Sequence, residues 1–269
     1  MTTVSRRTFV VSAAAAGVAP LVTLRDVTGQ DATVAAPALP AAFPSHPQPL
    51  AQEIVGASHG NVARVKELLA ERPALARASY DWGYGDWETA LGAASHVGNR
   101  EIAELLIANG AHPTIFSATM LGQLETVKAF VAAAPGVQRI RGPHGITLLS
   151  HARAGGERAA PVAAYLQTLG DADTGHPNQP LDAAAAAELT GTYIFGTTSL
   201  DRFTVSVSAT GAIMIKRDGG SDRRLSHHGG RVFNPAGAEA VRIRFTPETG
   251  RATALTVNDG PLAVTARRA

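Results

Sequence analysis

TALGAASHVGNREIAELLIANGAHP, residues 89–113, decides how the first half of this 269-residue chain is read. Apolar residues recur at helical spacing on both sides of the Val97-Gly98-Asn99 turn: Leu91 and Ala94 before it, Ile102, Leu105 and Leu106 after it. The second run stops at Asn109-Gly110, a helix-ending pair. The same plan extends outward. NVARVKELLAE, QLETVKAFVAAAPG and ERAAPVAAYLQTLGDAD each follow a turn ending in glycine, namely SHG, MLG and AGG. Short Ala-rich segments, EIVGAS, IFSATM and ITLLSHA, precede those turns. The repeating unit is helix, glycine turn, helix, loop.

Thr89, Leu91, Ala94, Gly98, Leu105, Leu106, Gly110 and Ala111 match the ankyrin pattern, T-P-L-H-x-A-A, G-H, L-L-x-x-G-A, so this stretch resembles an ankyrin repeat. Ala90 and Gly92 depart from it at the usual proline and histidine. The resemblance implies an all-α ankyrin-repeat array of about four units over residues 50–170, with loops and insertions gathered on one binding face.

Residues 189–269 follow a different period. Apolar and polar residues alternate through RFTVSVSATGAIMIKR and VRIRFT, broken by Thr-Gly, Gly-Gly, Ala-Gly and Asp-Gly turns. Seven or eight strands in a meander predict a small closed antiparallel barrel. LTGTYIFG and TALTVNDGPLAVTARR resemble the lipocalin-like barrel appended to exported bacterial penicillin-recognising serine hydrolases. The S-x-x-K motif of those enzymes' catalytic domain is missing, so that resemblance implies no chemistry. DADTGHPNQPLDAAAAAE, residues 171–188, is the linker. The expected fold class is therefore multi-domain α + β: a helical array followed by a barrel.

At the amino terminus, SRRTFVV (Ser5 to Val11) and the apolar run to Leu24 resemble a twin-arginine export signal. The expectation is a signal over residues 1–38, a Pro-rich leader over 39–49, passage through the twin-arginine machinery, and a periplasmic or secreted protein with no stable membrane anchor after cleavage. The absence of cysteine excludes disulfides, thiolate metal sites and a lipid-modified cysteine. The last 81 residues carry eleven basic against six acidic residues, but scattered along alternating strands, so no nucleic-acid partner is expected.

YDWGYGDWET, residues 80–89, concentrates four aromatic rings, two aspartates and a glutamate in the loop between the first two helical units. Polar residues at corresponding places in neighbouring units extend the cluster: His59, His96, Arg141, His144, His151 and Arg153. Two readings follow. In the first, the chain is an exported binding protein whose Asp81, Trp82, Tyr84, Trp87, His59, Arg141 and Arg153 present a polar-aromatic site to a small polar ligand or a protein partner. In the second, Asp86, Glu88, His96, His144 and His151 supply acid and base to a hydrolase or lyase acting on a small polar or carbohydrate-like substrate. A third possibility gives Asp86 and Glu88 only a helix-capping role.

Other motifs are set aside. Gly56-Ala-Ser58-His59-Gly60 fits a nucleophile elbow, yet a helix rather than a strand precedes it. His227 and His228 are adjacent on a strand and point to opposite faces. No tight ligand spacing such as H-E-x-x-H occurs, so neither a metal nor any other cofactor is expected.

Overall fold

The computed structural model describes residues 46–269 apart from 176, 199 and 200. The expected export signal and most of the leader lie outside the described residues. Helix α1 (Gln48–Ala57) packs on α2 (Val62–Glu71) and α3 (Ala90–His96), and α3 packs on α4 (Arg100–Ala108), α5 (Ile115–Met120) and α7 (Leu148–Ala154). Helix α5 also meets α6 (Leu124–Ala133), and α7 meets α8 (Ala160–Thr168).

The sequence sets these boundaries locally. Asn61, Thr89, Asn99, Thr114 and Thr147 each accept a hydrogen bond from a backbone N–H in the first turn of the helix they precede. The buried faces are small and aliphatic: Ile54, Leu68, Leu91, Ile102 and Leu106 form one cluster, and Ile115, Val127, Leu148, Val162 and Leu166 the next.

Gly98 shows how tightly the turns pack. Its φ is +76°, and an added Cβ would stand 2.1 Å from the Ala154 carbonyl oxygen. Gly98→Ala should therefore lose at least about 1–3 kcal/mol from the conformation alone, before the clash. At Gly60, the corresponding position of the first turn, a Cβ meets nothing within 4 Å. Urea denaturation should find Gly60→Ala near wild type; equal losses in both variants would contradict this packing.

The all-α ankyrin array is not what the structure contains. The helical part consists of short helices, six to ten residues each among those described, interrupted by 3-10 turns and by a two-stranded hairpin, β1 (Ser79–Asp81) with β2 (Trp87–Thr89). Amphipathic helices and glycine turns are enough to predict helix pairs, but they do not distinguish one helical architecture from another. The stretch expected as a loop pairs instead, Tyr80 opposite Glu88 and Asp81 opposite Trp87.

A short helix, α9 (Ala183–Leu189), leads into β3 (Gly191–Ile194), β4 (Arg202–Val207), β5 (Ile213–Arg217), β6 (Arg223–Gly229), β7 (Val232–Pro235), β8 (Arg242–Thr246), β9 (Ala254–Asp259) and β10 (Leu262–Arg268). Each strand pairs antiparallel with the next, and β10 closes on β3, giving an eight-stranded closed barrel. Period-two burial fills its interior with Tyr193, Phe203, Ile215, Phe233, Ile243, Phe245 and Leu255. Arg268 fastens the closure, donating to the carbonyls of Glu188, Thr190 and Ala252 and to the Tyr193 hydroxyl. His227 stacks on Phe233 while His228 bonds Asn234 Oδ1, so the adjacent histidines serve separate structural ends. Residues 46–269 form one compact unit. Among the described residues, no helix is long and apolar enough to cross a membrane.

Candidate functional site

The hairpin decides which side chains meet. Residues on a strand alternate faces, so Glu88 points inward and is fully buried, while its neighbour Trp87 is 63% exposed. Thr89, not Asp86 or Glu88, caps α3. Between the strands, the Trp82 N–H bonds the Asp86 carbonyl, and Asp81 accepts from the Gly83 N–H, fixing a tight connection.

Glu88 is the hub. The Trp82 indole N–H donates to its Oε2 at 2.7 Å. His59, from the turn after α1, places Nε2 3.5 Å from Oε2. His96, the last residue of α3, places Nε2 2.9 Å from Oε1. His144, from the 3-10 turn Pro143–Gly145, places Nε2 3.5 Å from Oε2. His59 and His96 meet Nε2 to Nε2 at 3.1 Å. Oε1 has no aligned hydrogen-bond donor despite the proximity of His96.

A second carboxylate holds the assembly. Asp86 accepts from the His144 ring at Nδ1 (2.7 Å) and from the His144 backbone N–H (3.0 Å). Those bonds hold His144 at φ +60°, a left-handed conformation that costs a non-glycine residue on the order of 1–2 kcal/mol. Arg223, at the start of β6, forms a buried ion pair with the same carboxylate. Gly237, after β7, passes so close that a Cβ would lie 2.5 Å from Asp86 Oδ1. The barrel thus closes on the hairpin at Asp86.

These contacts set the charges. Burial alone would raise the Glu88 pKa, but the His144 and His96 imidazoles beside it pull it down to about 2. Burial likewise disfavours a charged His144, yet hydrogen bonds to Asp86 and Glu88 outweigh it and raise the ring to about 9. Asp86 is lowered in the same way: burial opposes its charge, and His144 and Arg223 overcome that.

The cluster opens onto a cavity of about 560 Å³ bordered by Gly56, His59, Trp82, His144, Arg223 and Arg224. A second cavity of about 490 Å³, on the barrel side, shares Trp82 and Arg223 and is lined by Tyr84, Phe195 and Phe203. Imidazole nitrogens of His59, His96 and His144 and a carboxylate oxygen of Glu88 all lie within 4.8 Å of one another, a donor set able to hold a metal ion. Chain spacing gave no sign of it because each ligand comes from a different element.

The other residues expected at the site from the sequence sit elsewhere. His151 is fully buried on α7, with Nδ1 against the Thr147 carbonyl, its ring beside Phe116 and Nε2 unpartnered. Tyr84 packs against the barrel core with its hydroxyl buried. Arg141 bonds the Thr174 carbonyl and Arg153 pairs with Asp173, so both anchor the segment after α8. Asp81 serves the hairpin turn. Trp87 therefore does not roof the site, as its companion Trp82 does. Arg223 was missed by the sequence reading. The signal was a charged residue in the inward register of β6, two positions before buried Leu225.

Neither a family model nor a curated protein matches this chain. Among solved structures, it is similar to part of SurE with D-Leu, at 28% identity over 43% of this chain and 28% of that one, with a TM-score of 0.25. A second structure of SurE gives 29% identity over 44% of this chain and 27% of that one, with a TM-score of 0.24. The match thus spans less than a third of either SurE chain.

Proposed function

We propose that this is an exported protein that takes a small polar molecule into the cavity beside Glu88 and acts on it by acid–base chemistry, as a hydrolase or lyase. The observation that carries this reading is the convergence of His59, His96 and His144 on buried Glu88, with His59 and His144 bordering an open cavity. A carboxylate and imidazoles at one point provide base and acid of different proton affinity. Trp82 offers a flat apolar wall for a ring or sugar face, while its N–H holds Glu88 in place.

Binding without turnover is the second reading, favoured by the full burial of Glu88 and by the Trp82 bond that already occupies its Oε2. A protein partner would find exposed Trp87 on the outer face of the hairpin. Export by the twin-arginine route to the periplasm or beyond rests on residues 5–24 alone. The barrel is proposed to be of the lipocalin-like kind, serving as the cover of the site.

Assay of chromogenic esters, phosphates and glycosides with the full chain tests the enzymatic reading. Turnover should saturate, and Glu88→Gln should lower it about 10²–10⁴-fold. Turnover that survives Glu88→Gln belongs to some other place. In Trp87→Phe, Trp82 is the one remaining indole, so its fluorescence reports occupancy of the cavity. Saturable quenching without turnover supports the binding reading, and the absence of both contradicts the site.

A further inference from the structure

We propose that His59, His96, His144 and Glu88 are the ligands of a divalent first-row transition metal, bound through the three Nε2 atoms and the Glu88 carboxylate. This deepens the reading of the cavity as a reactive site and rests on that cavity only for access.

Three features carry the inference. The first is distance. Around one ion with bonds of about 2.0–2.2 Å, neighbouring donors stand roughly 3.0–3.5 Å apart. The observed separations are 3.1 Å for His59 Nε2 to His96 Nε2, 2.9 Å for His96 Nε2 to Glu88 Oε1 and 3.5 Å for Glu88 Oε2 to Nε2 of His59 and of His144, and one donor atom from each of the four residues lies within 4.8 Å of the others.

The second is tautomer. His59 Nδ1 lies 3.1 Å from the Val55 carbonyl oxygen, and His144 Nδ1 lies 2.7 Å from the Asp86 carboxylate. Each acceptor requires a proton on Nδ1, so a neutral ring presents a bare Nε2 lone pair to the inside of the cluster. There it faces carboxylate oxygens, which are also lone-pair donors. With Nδ1 so engaged, the Nε2 atoms of His59 and His144 are the ones left to ligate, and a bound cation would displace the protons that otherwise sit between these imidazoles and the Glu88 carboxylate.

The third is support. Asp86 behind His144, a backbone carbonyl behind His59 and an indole N–H on Glu88 are the kind of outer contacts that orient metal ligands. Arg223 fixes Asp86 in turn. His59 and His144 both border the cavity, so a bound ion would be reached by a small molecule from solvent. The donor set is nitrogen and oxygen with no thiolate, which fits zinc and its neighbours rather than a soft-metal site.

The experiment uses the full chain, stripped with a chelator and titrated with Co²⁺, then Zn²⁺. One equivalent of Co²⁺ should bind with visible d–d absorption, and Zn²⁺ should displace it. Asp86→Asn should weaken Zn²⁺ binding about 10–100-fold. His59→Ala, at a half-exposed turn position chosen so that folding survives, should weaken it at least as much. His112→Gln, on an exposed histidine outside the cluster, should match wild type. Stripped wild-type protein that is folded by circular dichroism yet gives no d–d band and no saturable Zn²⁺ binding overturns the proposal. Binding unchanged in folded His59→Ala and Glu88→Gln overturns it equally. Because the readout needs no substrate, a failed turnover assay and a failed metal titration are told apart.

Discussion

Asp86→Ala should destabilise the protein by about 3–5 kcal/mol in urea denaturation. The variant leaves Arg223 buried beside the Ala236 carbonyl with its carboxylate removed, and an uncompensated buried charge is the costly product of breaking such a pair. It also releases the backbone and ring of His144, which Asp86 holds in a left-handed conformation. The double variant Asp86→Ala/Arg223→Met should recover much of the loss, since neither charge then remains. A single-variant loss below about 1 kcal/mol, the range of a surface pair, would show that the hairpin and barrel are not locked through this contact.

Stability should also rise with pH between about 4 and 6.5 because of His151. Burial lowers its pKa from 6.5 to about 4. In that window the unfolded chain binds a proton that the folded chain refuses, so acidification favours unfolding. The gap corresponds to about 3 kcal/mol in the limit of low pH. Other carboxylates and histidines titrate nearby, so the effect is read as a difference: His151→Leu should flatten the slope between pH 4 and 6.5. Parallel pH profiles for wild type and His151→Leu would contradict a neutral, buried His151.

What was legible in the sequence was local. The spacing of Ile102, Leu105 and Leu106 announces a helix, Gly98 and Gly122 announce turns, and the alternation through Arg242–Thr246 announces a strand. The barrel was expected from that alternation, because a meander of short two-faced strands can hide its apolar faces by closing on itself. The helical part was over-read: matches at Thr89 to Ala111 fix helices and a turn, and the ankyrin array inferred from them is not found.

Within the site, composition pointed at residues 80–89 because aromatic and acidic groups rarely crowd a solvated loop. It did not separate Trp82 from Trp87, since their facing depends on a hairpin register that appears only once Asp81 pairs with Trp87. Nor did it join Asp86 to Arg223. They are 137 positions apart, and only the closure of the barrel on the hairpin brings them together. The metal donor set was hidden for the same reason: His59, Glu88, His96 and His144 come from a turn, a strand, a helix end and a second turn, with no chain period linking them.

Anomalous X-ray scattering from crystals of the full chain grown with Zn²⁺, measured on both sides of the zinc absorption edge, tests the metal site directly. One edge-dependent peak is expected about 2.0–2.2 Å from Nε2 of His59, His96 and His144 and from the Glu88 carboxylate. Zinc found only on scattered surface histidines, with His59, His96 and His144 hydrogen-bonded around Glu88 alone, would contradict it.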